Sequence, residues 1–431
     1  MASPQSDIDA EGAALQPVRL HRFAIDGLFG RSPIAIDFPP AAELASEPSI
    51  LILSGQNGSG KTTILKMLAG ATSMNFDTFR AVPFRNAILE FSNGEVLQVE
   101  RTSNEDRPLR ISFGGKEAFL AKDKRQPNVY SPREQLAIDA VREQTKRVLK
   151  HISFQFLDTT RSTFDQRETF DIDSVVQVSP GRYSVKHQGR GKELEPLADK
   201  VREFMREAQV NYRKFFQAEN LELLPRILQR FKTDKVVAKP EQLLSRVKAI
   251  AARIPEMKRL GLQTDDVDIE TLTDLLISGE FTSDEHSLAL LETYVETQTN
   301  KQSSRELIAH RLLEFEKIMD EFLVAKTVRV DARLGLKIET DQLQNLRESE
   351  LSSGEYHFLL MMVAALLCRR SGSIIAIDEP ELSLHVGWQR KVVGALARCA
   401  AGASPLFIFA THSMAISAEH RDRTKSLSAI D

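Results

Sequence analysis

The run Ser49-Ile-Leu-Ile-Leu53 is apolar after its first residue and leads directly into Gly55-Gln-Asn-Gly-Ser-Gly-Lys-Thr62. A strand buried on both faces of a sheet reads as an unbroken apolar run, not as an alternating one. The next stretch, Thr63-Ile-Leu-Lys-Met-Leu-Ala69, has helical spacing and is expected to stop at Gly70. A buried strand, a glycine-rich loop and a helix in that order restrict the chain to an open α/β sheet. The loop then sits at the carboxyl end of a strand, where such sheets bind ligands. Its glycines let successive N–H groups turn toward one point, and the helix adds the positive end of its dipole. That cradle suits phosphate. Lys61 is placed to reach the β- and γ-phosphates of a nucleoside triphosphate, and the Thr62 hydroxyl to ligate Mg²⁺. Gln56, Asn57, Gly58, Ser59, Gly60 and Thr63 complete the expected phosphate-binding set.

Three later segments supply matching chemistry. Ile374-Ile-Ala-Ile-Asp378-Glu379 reads as a buried strand delivering two carboxylates at its end. Asp378 is placed to hold Mg²⁺, and Glu379 to orient or deprotonate an attacking water. Leu351-Ser-Ser-Gly-Glu355 precedes the apolar helical run from Tyr356. Ser352 reads as a helix cap, and Ser352 with Gly354 also suits contact with a phosphate. His412 follows the apolar run Leu406-Phe-Ile-Phe-Ala410, and a histidine after a strand can be structural or functional. Gln155 or Asp158 is a further candidate beside the metal. Phe29 is either an adenine contact or a core residue.

Between these motifs the chain changes character. Ile88 to Val99 alternates around Asn93-Gly94, a strong hairpin signal within an antiparallel sheet. Residues 115–135 are polar, with Lys122, Lys124, Arg125, Pro127 and Pro132, and read as a loop. From about 192 to 325 the spacing is helical, in runs of two to three heptads that suit antiparallel packing. This divides the chain into a flexible tail (1–16), a first α/β half (17–190), a helical insertion (191–325) and a second α/β half (326–431). A formal net charge of −3 gives no global signal for nucleic acid. Arg226, Arg230, Lys232 and Lys235 form a local basic cluster, a candidate DNA contact or a solvated helix face. Cys368 and Cys399 suit a reducing compartment, and no metal-ligand spacing such as CxxC occurs. No signal peptide or membrane-length apolar run is evident, so a cytoplasmic protein is expected.

Taken in order, the glycine loop, Leu-Ser-Ser-Gly-Glu, the strand ending in Asp-Glu and the late histidine resemble the ATP-binding cassette ATPase superfamily. That superfamily includes the heads of SMC proteins and of their DNA-repair relatives. The resemblance implies an α/β head with a mixed sheet, an antiparallel β subdomain and a helical insertion. It implies a homodimer or higher homo-oligomer that sandwiches two ATP and Mg²⁺. Ser352 and Gly354 then touch the γ-phosphate held by the other subunit, and Ser383-Leu-His385 is the interface segment called the D-loop. His412 is then the switch that senses the γ-phosphate. The segment Asp378-Glu-Pro-Glu-Leu-Ser-Leu-His-Val-Gly-Trp-Gln389, with Ala-Thr-His-Ser413, is similar to the overcoming-lysogenization-defect-like ATPases. These include bacterial anti-phage ATPases of the Septu and PARIS types. Proline often stands in that group where this chain has Val386 and Met414. The resemblance implies a sensor or regulatory ATPase that controls a separate effector, such as a nuclease or toxin. The short stretch after His412 leaves no expectation of an intrinsic nuclease. A RecF-like DNA-repair or chromosome-maintenance ATPase is the alternative, and a transporter ATPase a more distant one.

Overall fold

Two strands are buried along their whole length, Ile374–Asp378 and Leu406–Thr411. Their apolar runs require cover on both faces, and the fold supplies it. The computed structural model describes residues 18–39, 48–105, 108–120, 129–130, 132–149, 152–158, 163–165, 175–179, 182–185, 196–230, 238–262, 269–278, 285–342, 346–368 and 373–427. Both buried strands lie in a six-stranded sheet. Its order is Thr163–Asp165, Phe154–Leu157, Ile374–Asp378, Leu406–Thr411, Ser49–Ser54, Thr424–Ser426. All neighbours are parallel except the antiparallel edge strand Thr163–Asp165.

Side chains alternate across this sheet, as pleating requires. Ile52, Ile375, Ile377, Phe407 and Phe409 enter one core with the helices Ser353–Leu367 and Val386–Cys399. Leu53, Ile374, Ala376, Leu406, Ile408 and Ala410 enter a second core with the helix Lys61–Ser73. The second core also receives an antiparallel sheet, ordered Ile34–Asp37, Leu20–Asp26, Asn86–Phe91, Val96–Arg101, Leu109–Phe113, Lys116–Leu120. Its hairpin turns at Asn93-Gly94 as expected, with Gly94 at φ +84°, a left-handed conformation that glycine adopts without strain.

The insertion is built on two long helices, Leu197–Arg230 and Glu285–Phe322. At 1.5 Å per residue they extend about 51 and 57 Å. Lys301 of the second helix donates to Asn220 of the first, and Arg305 lies over the Phe216 ring, so numbering rises on one helix as it falls on the other. The pair is therefore antiparallel, as the sequence suggests, but each helix is longer than two to three heptads. The apolar period lapses while the helix continues. Thr293, Thr297 and Thr299 donate their hydroxyls to the carbonyls four residues back, so polar side chains sit along the helix with their hydrogen bonds met.

Aromatic packing and buried hydrogen bonds help fasten the insertion to the α/β core. Phe322 stacks on Phe358, centroids 4.2 Å apart, and Trp388 packs against both rings. Arg311 is buried and donates to the carbonyls of Ala365 (3.0 Å) and Leu366 (2.6 Å), in the last turn of the Ser353–Leu367 helix. Carbonyls of a helix's last turn run short of backbone donors; Ala365 accepts from the Cys368 N–H (3.3 Å), and the guanidinium supplies a donor to each of the two. Cys368 and Cys399 are both buried and free, and burial pushes the Cys399 thiol up to about 12.

Two local expectations are corrected. The helix after the glycine loop does not stop at Gly70 but runs to Ser73 and ends on left-handed Met74. Gly70 serves close packing instead: a Cβ there would lie 2.4 Å from the Asn75 carbonyl oxygen. The polar stretch 115–135 is not one loop. Lys116–Leu120 is a strand, and a helix, Pro132–Leu149, begins within it. Pro132 opens that helix, where a missing N–H costs nothing, and Ile138, Val141 and Val148 are its buried face. The tail 1–16 and the basic residues Lys232 and Lys235 lie outside the described residues. Arg226 is held by Glu219 (2.9 Å) and Glu222 (2.6 Å), so it is neutralised within its own helix. Among the described residues no helix is long and apolar enough to cross a membrane.

Candidate functional site

Because the central strands are parallel, their carboxyl ends meet at one edge. Ser54 is level with Thr411, and Asp378 with Ala410. The glycine loop, the Asp378-Glu379 pair and His412 are thereby brought together from three distant parts of the chain.

The loop has the shape its glycines allow. Gly58 and Gly60 adopt φ of +79° and +92°, and a Cβ at Gly55 would lie 2.7 Å from the Leu427 carbonyl. Gly60 caps the Lys61–Ser73 helix with no side-chain acceptor, so the first N–H groups of that helix remain free to meet an anion. Lys61 is buried, and its Nζ donates to the carbonyls of Gly55 (2.8 Å) and Gln56 (3.2 Å). The Ser59 hydroxyl is buried without a hydrogen-bond partner. Arg31 braces the loop by donating to the Gly58 carbonyl at 2.8 Å. Phe29 is not a core residue: it is 44% exposed, and its ring lies about 4 Å from a Cβ built on Gly60.

The Thr62 hydroxyl donates to Asp378 Oδ1 at 3.0 Å, linking residues 316 positions apart. The other carboxylate oxygen of Asp378, Oδ2, is buried without a partner. Burial pushes the Asp378 carboxyl above the usual range, against the pull of the Thr62 hydrogen bond. An alcohol oxygen beside an unpartnered carboxylate oxygen is the hard-oxygen donor set that Mg²⁺ takes. Gln155 is not brought to this point. It is level with Ile375, three residues before Asp378, and its Oε1 is buried without a partner. Asp158, just past the carboxyl end of that strand, is near enough for its charge to act on Asp378, after those of Lys66 and Lys61. Of the two candidates, Asp158 follows Leu157, which is level with Ile377, and so lies nearer Asp378 along the sheet.

Glu379 sits just past the strand at φ +52°, with its N–H bonded to the Ala410 carbonyl (2.8 Å). Its Oε2 is in short contact with His412 Nδ1. Burial, and then repulsion from Glu381, push the Glu379 carboxyl upward, and His412 opposes them. Such a carboxylate can act as a base toward water. Glu381 was not singled out by the motifs. It is buried, and its Oε1 accepts from Thr411 Oγ1 (2.6 Å) and from the N–H groups of His412 and Ser413 (3.0 Å each). Its signal was a third carboxylate two residues beyond the Asp378-Glu379 pair.

Ser352 and Gly354 are placed differently. Ser352 caps the Ser353–Leu367 helix in a reciprocal box with Glu355, and Glu355 also pairs with Lys326 at 2.7 Å. Gly354 packs on the D-loop-like segment, where a Cβ would lie 2.4 Å from the Ser383 carbonyl oxygen. Among the described residues no hydrogen bond joins Ser352 or Gly354 to the glycine loop of the same chain.

A glycine loop on a parallel sheet, tied through Thr62 to a strand-end carboxylate, defines a nucleotide-loop ATPase domain. The chain belongs to the family described as "AAA domain, putative AbiEii toxin, Type IV TA system", whose model matches residues 50–418. No curated protein gives a significant match. Among solved structures, one that aligns is the Smc head domain of Pyrococcus furiosus with an extended coiled coil, bound to the C-terminal domain of ScpA. It is 13% identical, with 93% of this chain and 92% of that chain covered and a TM-score of 0.42. The SMC head domain from Thermotoga maritima is 11% identical over 93% and 92% of the two chains, with a TM-score of 0.32. These overlaps are partial, and the fold follows from the sheet orders described above.

Proposed function

We propose that this chain binds and hydrolyses ATP as one half of a head-to-tail homodimer. The observation that carries the reading is the Thr62–Asp378 hydrogen bond beside the Glu379–His412 pair. It supports reading the phosphate cradle, a metal-binding oxygen set and a candidate base as lying at one strand edge.

In this reading the loop N–H groups and Lys61 hold the β- and γ-phosphates, with Lys61 exchanging the Gly55 and Gln56 carbonyls for phosphate oxygens. Bound Mg²⁺, held by Thr62 and Asp378, would neutralise phosphate charge and polarise the γ-phosphoryl group. Glu379 accepts the proton of the attacking water. His412 faces the γ-phosphate from the same edge. Ser352 and Gly354, remote from their own chain's loop in hydrogen bonding, complete the site of a second copy. ATP then favours the closed dimer because the γ-phosphate is bound by both chains, and hydrolysis removes that difference.

The family description names a putative toxin of a toxin–antitoxin system. Together with the anti-phage resemblance of the Asp378–Gln389 segment, it supports a role as the sensing or regulatory ATPase of a bacterial defence complex with a separate effector. Pins from the insertion onto the Ser353–Leu367 helix make that insertion the natural route to the effector.

The test is Glu379→Gln. Turnover is expected to fall about 10²–10⁴-fold while ATP binding persists and dimers accumulate on a sizing column. Undiminished hydrolysis removes Glu379 from the mechanism. Capture with this variant and ATP from native cells then identifies the effector.

A further inference from the structure

Glu381 raises a question of cost. A buried carboxylate is expensive unless hydrogen bonds or a charge partner offset the lost hydration. Here one oxygen receives nearly all the compensation. Oε1 accepts from the Thr411 hydroxyl and from the N–H groups of His412 and Ser413, and it also faces His412 Nδ1 at 3.3 Å. Three consecutive residues of one loop thus converge on a single atom. The two N–H bonds fix the loop backbone, and the Thr411 hydroxyl ties the strand end to the same atom. The fourth contact adds to the closer one from Glu379 Oε2, so two carboxylates together orient a half-exposed ring.

The same loop is tied down on its other side. Ser413 donates its hydroxyl to Gln389 Oε1 at 2.8 Å, and Gln389 Nε2 donates to the Leu384 carbonyl at 3.0 Å. His412 is thereby held between the strand end that carries Glu379 and the D-loop-like segment.

We infer that Glu381 is a positioning residue for hydrolysis, acting through His412. It sets the backbone and the ring of His412 so that Nδ1 meets the carboxylates and Nε2 is left to face the nucleotide. The inference rests on the ATP-hydrolysis reading above. Glu381 itself does not touch the reacting atoms.

A plain structural anchor would show the same hydrogen bonds, so the test separates the two roles. Glu381→Gln keeps an oxygen for the Thr411, His412 and Ser413 donors but gives up the charge that faces the ring. Wild type, Glu381→Gln, His412→Ala and the double variant are compared well below their melting temperatures. ATP affinity, KM and single-turnover rates over hours are measured. The expected result is a tenfold or greater loss of kcat in Glu381→Gln, with ATP affinity and KM within threefold of wild type. In the His412→Ala background the same change is expected to cost no more than twofold, because the residue it acts through is gone. A wild-type kcat in Glu381→Gln overturns the inference and leaves an anchor. So does an equal loss in both backgrounds, which would mean that Glu381 does not act through His412. If wild type itself does not hydrolyse ATP, the functional reading fails first. If wild type turns over and Glu379→Gln does not, while Glu381→Gln is normal, only this inference falls.

Discussion

Gly354→Ala makes the clearest demand on the geometry. A Cβ at position 354 would lie 2.4 Å from the Ser383 carbonyl oxygen, and ordinary contact begins at 3.4 Å. The obstacle is backbone, so no side-chain rotation relieves it. Either the first turn of the Ser353–Leu367 helix or the Ser383–His385 segment must move by about 1 Å. Overpacking of this kind costs about 1–3 kcal/mol, a bearable loss for a chain of this size. The functional cost is expected to be larger. Both moving parts face the second copy in the proposed dimer, and a misplacement of about 1 Å can cost on the order of 10²-fold in rate. Gly354→Ala should therefore lose about 10²-fold in kcat and keep the ATP affinity of an isolated chain, because the glycine loop is untouched. Steady-state hydrolysis, calorimetric ATP binding and a urea melt are the assays. A variant that is folded and turns over within threefold of wild type would refute the reasoning.

Two further outcomes follow from buried groups. Asp378→Asn should raise the melting temperature of the nucleotide-free protein at pH 7. Burial raises the carboxyl's folded-state pKa, so the charged form penalises folding above that pKa. The advantage should close as pH falls from the raised value through the ordinary aspartate range, where the wild-type carboxyl is protonated in both states. A gap that persists or widens in acid contradicts the assignment, and Mg²⁺-dependent turnover should be lost in this variant throughout. Arg311→Met should cost about 1–3 kcal/mol, since it removes the buried guanidinium donor from the Leu366 carbonyl and leaves Ala365 only the Cys368 N–H. A urea midpoint equal to wild type would show that water replaces the guanidinium at no cost.

Much of this arrangement is legible in the residues because a few physical demands are local. Ile374–Asp378 and Leu406–Ala410 leave no polar face, so they must be central strands, and their carboxyl ends must hold whatever follows them. Glycines 58 and 60 turn the loop because only they adopt its backbone without strain. Other features depend on partners far along the chain. Gly70 resembles a helix stop, but its role is set by the carbonyl of Asn75 lying against it. The helix Pro132–Leu149 hides in a polar stretch because only one narrow face of it is buried. Gln155 and Asp158 are indistinguishable until strand register places one of them nearer Asp378. Glu381 reads as one more loop carboxylate, and only the fold shows that Thr411, His412 and Ser413 converge on it.

The central claim is that each ATP is served by two chains, with Lys61 from one and Ser352 from the other. Lys61→Ala and Ser352→Arg should each be inactive alone. Mixed in equal amounts with ATP and Mg²⁺, they should regain about a quarter of the wild-type rate. Random pairing makes half of the dimers mixed, and each mixed dimer has one intact site of two. A mixture as inactive as its components, from proteins shown to exchange subunits, would contradict the composite site.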